Sequence, residues 1–282
     1  MSSRTFTPVR LMYLAVAILC WVVTGFGRLA RRRVIVLCYH AVGSGQRQRF
    51  VRQMRMIAGR VISTSEIAAA ATDSKRGLPC LCVTFDDGYA GLLAHVLPAT
   101  AALKTPITVF VVSGNLGRSP AWLTTRAASE VNESLMSGPE LCAAVRNGLI
   151  RIGAHSVTHP HLSTLSTPER RAELANCKTA LEALVHAPVD ELALPYGEYD
   201  EQTIELARAL GFQRVFSLDA CPHPGPLPTG VVGRYLVSPD VWMLEFYLTC
   251  AGAYAWLHEV RQLLRRFRRG PRARATAETA AA

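Results

Sequence analysis

Two adjacent carboxylates follow a strongly apolar run in the amino-terminal half of the chain. In the segment Val83–Tyr89, Asp86 and Asp87 stand where a predicted strand gives way to a glycine turn. In parallel α/β folds, active sites lie at the carboxyl ends of the strands. Neighbouring side chains on extended backbone point in different directions, so one carboxylate can bind a metal while the other acts as a base. A surface Asp-Asp-Gly turn is the alternative.

Two histidines spaced four apart follow another apolar run. His155 and His159 lie in the segment Ile152–His161, and on a helical turn this spacing places both imidazoles on one face, where they can share a divalent ion. His161 follows a proline and is predicted to point elsewhere. With a carboxylate from another strand end, the pair completes a set of two histidines and one carboxylate, which hydrolytic metal sites use with one open position. An exposed surface pair is the alternative.

Strand-like and helix-like segments alternate along the chain and supply the scaffold for these residues. The clearest helical patterns are Pro168–Val185 and Asp200–Leu210, the second ending at Gly211. The alternation predicts a parallel sheet covered by helices, either an open doubly wound sheet or a barrel. Short β-branched runs predict seven strands, over Val34–Cys38, Leu81–Phe85, Ile107–Val112, Leu149–Gly153, Leu192–Leu194, Arg214–Ser217 and Val231–Leu236.

Three motifs in this order resemble the polysaccharide deacetylases of carbohydrate esterase family 4, also called the NodB-homology family. They are Thr84–Gly88, His155–Pro160 and Leu194–Gly197, and the similarity covers roughly residues 34–237. Leu37–His40 is also similar to a Tyr-His strand that opens many members. The resemblance implies an α/β fold, a distorted (β/α) barrel. It also implies a bound divalent metal, zinc first, with cobalt, nickel or manganese as alternatives.

The resemblance assigns roles to the residues at matching positions. Asp87, His155 and His159 would bind the metal, and Asp86 would be the general base. The backbone N–H of Tyr196, in the Pro-Tyr-Gly turn, would help to stabilise the oxyanion that forms on the acetyl group. These roles define a hydrolase that removes N-acetyl groups from sugars.

The chain departs from the family pattern at two places. Leu192–Leu194 stands where many members carry an arginine that orients the base, so this arginine is predicted to be missing. No late Asp-Trp or apolar-x-x-His motif supplies the usual general acid, and His258 lies in an aromatic-to-basic segment that makes it a poor candidate. In some relatives with the early Tyr-His, that histidine is thought to be the acid. His40 is therefore predicted either to protonate the leaving amine or to be hydrogen-bonded at the strand end.

Basic residues concentrate at the two ends of the 282-residue chain and account for its net charge of +10. Residues 1–33 carry six arginines and no acid, and residues 259–282 carry seven arginines and two glutamates, so the middle is nearly neutral. This pattern argues against a nucleic-acid-binding face and favours contact with membrane headgroups. Leu11–Gly27 has no charged residue and is predicted to be an uncleaved membrane anchor, with a signal peptide or a buried helix as alternatives.

The predicted organisation has four parts. Residues 1–33 are the N-terminal hydrophobic anchor, residues 34–238 the catalytic domain, residues 239–269 a C-terminal amphipathic helix with aromatic and basic residues, and residues 270–282 a disordered tail. The C-terminal helix, Val241–Arg269, would lie at the headgroup boundary or pack on the domain. The expected location is the inner (plasma) membrane, single-pass or peripheral, and the arginines slightly favour a cytoplasmic domain.

The sequence as a whole predicts a metal-dependent N-deacetylase. Its substrate would be an N-acetylated polysaccharide or oligosaccharide, or a lipid-linked aminosugar. Membrane attachment and basic ends favour an amphiphilic or pyrophosphate-linked substrate. The alternatives are a deformylase or an O-acetyl esterase acting at the same site, and a sugar-binding membrane protein whose site has decayed.

Overall fold

The strands form one continuous parallel sheet in the computed structural model, which describes residues 7–26, 33–72, 78–120, 122, 133–146, 148–224, 227–228, 230–258 and 260. The strands are β1 Val34–Tyr39, β2 Cys80–Phe85, β3 Ile107–Val111, β4 Ile150–Ala154, β5 Glu191–Ala193, β6 Arg214–Phe216, β7 Val231–Val232 and β8 Tyr235–Leu236. They are hydrogen-bonded in the order β7-β6-β5-β4-β3-β2-β1-β8, and every neighbouring pair is parallel.

Helices connect and surround these strands. They are α1 Pro8–Val23, α2 Arg47–Ile57, α3 Ile67–Thr72, α4 Gly91–His95, α5 Leu97–Ala102, α6 Gly138–Val145, α7 Thr167–Val185, α8 Glu201–Ala209 and α9 Met243–Cys250. The two clearest helical patterns of the sequence correspond to α7 and α8. Helix α7 begins with a capping box between Ser166 and Glu169, and the Asp200 carboxylate caps α8.

The two edge strands are almost contiguous in the chain. β7 ends at Val232 and β8 begins at Tyr235, yet β7 pairs with β6 at one edge of the sheet and β8 pairs with β1 at the other. The sheet must therefore curl until its edges approach each other, and Gly233 and Arg234 connect them. This confirms the predicted distorted (β/α) barrel and excludes an open doubly wound sheet.

The prediction of one strand over Val231–Leu236 is wrong, because glycine allows the chain to cross between the sheet edges there. A Cβ at Gly233 would lie 2.3 Å from the Asp219 carbonyl oxygen and 2.6 Å from Cys221 Sγ, so no other residue fits without a shift. The next side chain, Arg234, is fully buried. The other six predicted strands agree with the structure to within one residue at each end.

Most strand residues are buried, as expected for a parallel sheet covered by helices, although Leu236 of the edge strand β8 is 63% exposed. One core cluster joins alternate strand residues such as Val36, Cys82, Phe110 and Phe216 from four different strands. A second, larger cluster joins the intervening strand residues to the helices. This packing on both sides makes the strands rigid supports for the polar residues that follow their carboxyl ends.

The C-terminal segment differs from the single long helix predicted over Val241–Arg269. Helix α9 ends at Cys250 and is followed by turns, because Gly252 has a left-handed φ of 76° that a helix interior does not allow. The basic residues 261–269 and the predicted tail, residues 270–282, lie outside the described residues.

The described aromatic residues of this segment pack against α1. Trp256 is in edge-to-face contact with Tyr13, and Tyr247 is in edge-to-face contact with Trp21. This favours the packed alternative for the described part of the segment. No helix in the described part of the chain is long and apolar enough to cross a membrane.

Candidate metal centre

Residues after the carboxyl ends of four strands converge on one site. Asp86 and Asp87 follow β2, His155 follows β4, Tyr196 follows β5 by a short turn, and His40 follows β1. The parallel arrangement brings these ends to the same edge of the curled sheet. A hydrogen bond of 2.9 Å from the Asp86 N–H to the carbonyl of the last residue of β1 holds the first two ends together.

Asp87, His155 and His159 form a buried cluster whose candidate ligand atoms all lie within 4.8 Å of one another. Nε2 of His155 lies 3.6 Å from Oδ1 of Asp87, and Nε2 of His159 lies 3.7 Å from it. That oxygen is buried and has no hydrogen-bond partner among the described residues. Ligand atoms about 2.0–2.1 Å from a tetrahedral zinc ion lie roughly 3.4 Å apart, so the three residues fit a shared divalent ion.

Both imidazoles are in a state suited to metal binding. Nδ1 of His155 lies 2.8 Å from the Ala193 carbonyl oxygen, which fixes the proton on Nδ1 and leaves the Nε2 lone pair facing Asp87. Burial lowers the pKa of His159 to about 3, with a further contribution from His155, so its ring is neutral at neutral pH. Burial also raises the pKa of the Asp87 carboxyl, against the opposing effect of the nearby histidines. A cation bound between these groups would offset that cost of burying the carboxylate.

The prediction that His155 and His159 share one face of a helical turn is wrong. The segment after β4 is an irregular loop in which Ser156 and His159 have left-handed φ values of 64° and 61°. The Ser156 hydroxyl accepts a 3.0 Å hydrogen bond from the His159 N–H and closes the loop. The two imidazoles meet because the loop turns back on itself, and helical periodicity plays no part.

Unfavourable backbone conformations are concentrated at this site. Among the described residues, seven other than glycine have a positive φ, and four of them are Asp87, Ser156, His159 and Tyr196. Each such conformation costs on the order of 1 kcal/mol or more and persists only where the surroundings impose it. The surroundings therefore stabilise a geometry that local preference alone would not select.

Glu173 of α7 holds the histidine loop in place. Its Oε2 accepts hydrogen bonds of 2.8 and 2.9 Å from the N–H groups of Val157 and Thr158, and its Oε1 accepts one of 2.7 Å from the Thr158 hydroxyl. These two residues lie between the histidines of the cluster. The carboxylate thus satisfies the loop backbone and links it to a helix of 19 residues.

We expect Glu173→Ala to weaken zinc binding about tenfold, because the N–H groups of Val157 and Thr158 and the Thr158 hydroxyl all lose their acceptor. Competition with a chromogenic chelator measures the affinity. Glu169→Ala is the matched control, since Glu169 lies on the same helix and accepts hydrogen bonds from the exposed cap residue Ser166. Equal zinc affinity for the two variants would show that the Glu173 contacts do not support the site.

Asp86 is held by an arginine that sequence analysis missed. Nη1 and Nη2 of Arg234 donate hydrogen bonds of 2.6 and 2.8 Å to Oδ1 and Oδ2 of Asp86, and both side chains are buried. The prediction that the orienting arginine is missing is therefore wrong, although the position before the Pro-Tyr-Gly motif does lack one. The two residues are 148 positions apart and meet only because the sheet curls, so no local pattern indicates the pair.

The surroundings of Asp86 keep this carboxylate ionised. Burial alone raises the pKa of Asp86, but the Arg234 guanidinium, His155 and His40 together outweigh burial and hold the pKa well below its usual range. The Cys38 thiol lies 3.3 Å from Oδ2 and adds a further hydrogen bond. Oδ2 also lies 4.0 Å from Nε2 of His155, so the ionised carboxylate stands beside the cluster and outside it.

Aromatic rings form a wall around His159. The Trp122 ring stacks on the imidazole at 4.6 Å, and the Tyr196 ring meets it edge-on at the same distance. His161 stacks on the other side of Tyr196 at 4.0 Å, and its Nδ1 lies 2.8 Å from a Glu198 carboxylate oxygen. His161 thus points away from the cluster, as the sequence predicts. Trp122 carries no motif and was not predicted.

A cavity of about 370 Å³ opens beside the first strand. His40 lines this cavity and also acts to lower the pKa values of Asp86 and Asp87. Most of the remaining wall is apolar. The other lining residues are Ala41, Leu236, Val237, Ser238 and Val241.

The fold and the motifs agree with known proteins. A family model described as polysaccharide deacetylase matches residues 73–215, just over half of the chain, and the chain therefore belongs to the polysaccharide deacetylase family. YxkH of Bacillus subtilis, a protein named as a candidate polysaccharide deacetylase, is 23% identical over 187 residues. The match covers 63% of this chain and 62% of that protein, so the chain spans less than two thirds of its curated relative.

Solved structures show the same architecture. IcaB from Ammonifex degensii is 27% identical with a TM-score of 0.63, covering 78% of this chain and 97% of that one. The Streptococcus pyogenes deacetylase PplD, solved with acetate, is 16% identical with the same TM-score, covering 78% and 98%. At 16% identity, the similarity to PplD shows the fold alone. The predicted barrel of the polysaccharide deacetylase type is confirmed.

Proposed function

We propose that this protein is a metal-dependent hydrolase that removes N-acetyl groups from aminosugars. The observation that carries the proposal is the pairing of a buried three-ligand cluster, Asp87, His155 and His159, with a separate ionised carboxylate on Asp86. One group of residues can hold a divalent ion, and the other can accept a proton beside it. Hydrolysis of an amide needs both functions.

The residues of the site divide the work of the reaction. Asp86 accepts the proton of the attacking water as the new C–O bond forms. The N–H of Tyr196 donates to the oxyanion of the tetrahedral intermediate. The C–N bond then breaks, and His40 protonates the departing amine, so that acetate and a free aminosugar result. Asp86 can begin the cycle directly because Arg234 keeps it ionised.

The ion that best suits these ligands is zinc, although cobalt, nickel and manganese also bind two imidazoles and a carboxylate. Zinc, when bound, supplies a Lewis acid that polarises the acetyl carbonyl and makes water at the site more acidic. The protein contributes the arrangement of its ligands. His155 and His159 are held in orientation by Ala193 and by the loop that Glu173 supports.

Two observations favoured a decayed site, the missing arginine and the missing late histidine motif. Arg234 removes the first of them. The late histidine motif is not needed if His40 is the general acid.

We expect His40→Ala to lower kcat about a hundredfold, because protonation of the leaving amine is lost. His155→Ala should abolish turnover altogether. Near-normal turnover of His40→Ala beside an inactive His155→Ala would exclude the acid role.

The substrate that we propose is an aminosugar carried by a lipid or by a growing surface glycan at a membrane. The cavity beside His40 supports this, because its wall combines apolar side chains with the polar groups of His40 and Ser238 and so suits an amphiphilic substrate. The arginines at both ends of the chain favour an anionic membrane or a pyrophosphate-linked carrier. Equal turnover of lipid-linked and free N-acetylhexosamine would contradict the lipid preference.

A panel of acyl groups tests the proposed reaction. Matched sugars that carry N-acetyl, N-formyl or O-acetyl groups are offered to the protein, and the released acid is measured with and without a chelator. Chelator-sensitive release of acetate from the N-acetyl sugar supports the proposal. Release of formate alone would identify the protein as a deformylase. Release of acetate from the O-acetyl sugar alone would identify it as an esterase.

A further inference from the structure

Helix α1 carries an exposed apolar face. Met12 and Leu19 are 55% and 63% exposed, and Val23, at the end of the helix, is 72% exposed. Met12 and Leu19 are seven residues apart and lie on the same side of the helix. No charged residue lies between Arg10 and Arg28 in the sequence. Such a contiguous face is costly in water and usually marks a contact surface.

The opposite face of α1 is docked on the domain. The Arg10 guanidinium donates hydrogen bonds of 2.5 and 3.1 Å to the Glu245 carboxylate and lies 4.2 Å from the centre of the Trp242 ring. The contacts of Tyr13 and Trp21 with the C-terminal segment, described above, hold the rest of the helix. Ala17, which lies on the same helix, is fully buried. A helix that crossed a membrane away from the domain would lose all these contacts.

The residues that flank α1 in the sequence are basic, and this favours an anionic partner. The first 33 residues contain six arginines and no acid, and residues 259–282 contain five more positive than negative charges. A second copy of the same chain carries the same net charge of +10, which opposes its association with the first. A surface of anionic phospholipid attracts the arginines and accepts the apolar side chains together.

We propose that α1 lies in the plane of an anionic membrane surface, with its docked face on α9 and its exposed face among the lipids. The site is then held near the membrane without a spanning segment. Trp242, under Arg10, directly follows Val241, which lines the cavity beside His40, so the docked helix and the cavity are neighbours. This surface goes beyond the proposed function and does not depend on the acyl group that the site removes.

Flotation of the full chain with vesicles tests the surface. Vesicles contain equal parts of phosphatidylcholine and phosphatidylglycerol, or phosphatidylcholine alone, and neither zinc nor sugar is added. Wild type should bind the anionic vesicles. The double variant Met12→Glu/Leu19→Glu should bind them at least about tenfold more weakly, because two apolar side chains no longer enter the lipid. Leu78→Glu is the matched control, since Leu78 is also exposed but precedes β2 at the far end of the barrel.

Three outcomes would overturn the proposal. In the first, the double variant and wild type float equally, or Leu78→Glu loses binding as strongly as the double variant. In the second, the protein resists alkaline carbonate extraction from host membranes, which would show that the segment spans. In the third, the double variant converts a dimer to a monomer at unchanged vesicle binding, and a second copy then covers the face. A failure of acetate release leaves all these measurements unaffected, so the two proposals fail separately.

Discussion

Asp86→Asn is expected to lower acetate release about a thousandfold while zinc binding remains intact, whereas Asp87→Asn is expected to lose the zinc itself. The two residues are adjacent and chemically identical, so the contrast depends only on their positions. Asp87 Oδ1 lies 3.6 and 3.7 Å from Nε2 of the two imidazoles. Asp86 instead accepts hydrogen bonds from Arg234. The amide at position 86 cannot accept the proton of the attacking water, which removes general-base catalysis.

The two variants are compared in bound zinc per chain and in kcat. Each serves as the matched control of the other, since both exchange a buried carboxylate for an amide of the same shape. Asp87→Asn should bind zinc more than about a hundredfold more weakly. If both variants kept zinc and turnover, or if Asp86→Asn lost its zinc, the division of roles between the neighbours would be wrong.

Arg234→Gln is expected to lower kcat/KM by about a hundredfold at neutral pH and to move the acidic limb of the pH profile upward. Burial raises the pKa of Asp86, and the Arg234 guanidinium together with His155 and His40 more than offsets this. Without the guanidinium the pKa rises. Since Asp86 must be ionised to accept a proton, activity is then lost at a higher pH as the pH falls. Removal of one partner of a buried ion pair also costs about 3–5 kcal/mol of stability.

The pH profile separates the positioning role of Arg234 from a purely structural one. A variant that is merely less stable loses activity at every pH, and its acidic limb stays where it was in wild type. Arg234→Lys restores the charge without the two parallel hydrogen bonds, so it should return the limb toward its wild-type position and recover only part of kcat/KM. An unshifted limb in Arg234→Gln, measured below its melting temperature, would rule out the proposed control of Asp86.

Strands β1 to β6 were predictable because they are largely buried and consist mainly of apolar residues. The motifs placed Asp86, Asp87 and His155 after strand ends, and a parallel sheet necessarily brings such ends together. The route from His155 to His159 was not predictable in the same way. Its left-handed residues depend on contacts with Glu173, which lies on a later helix.

Long-range partners account for what sequence analysis missed. Arg234 reaches Asp86 because the two sheet edges approach each other, and the pattern of β-branched residues around it predicted an uninterrupted strand. Trp122 stacks on His159 from a segment without motif or periodicity. Contacts of this kind depend on the curled sheet as a whole, and no spacing in the chain encodes them.

The central claim is that a divalent ion held by Asp87, His155 and His159 makes this protein a deacetylase. The most direct measurement titrates zinc into the metal-stripped full chain and follows bound zinc and acetate release from an N-acetylated aminosugar in the same samples. We expect both to rise together and level off at one zinc per chain, and His155→Ala to show neither. Full acetate release before zinc is added, or a rate of acetate release that does not change with the amount of bound zinc, would contradict the claim.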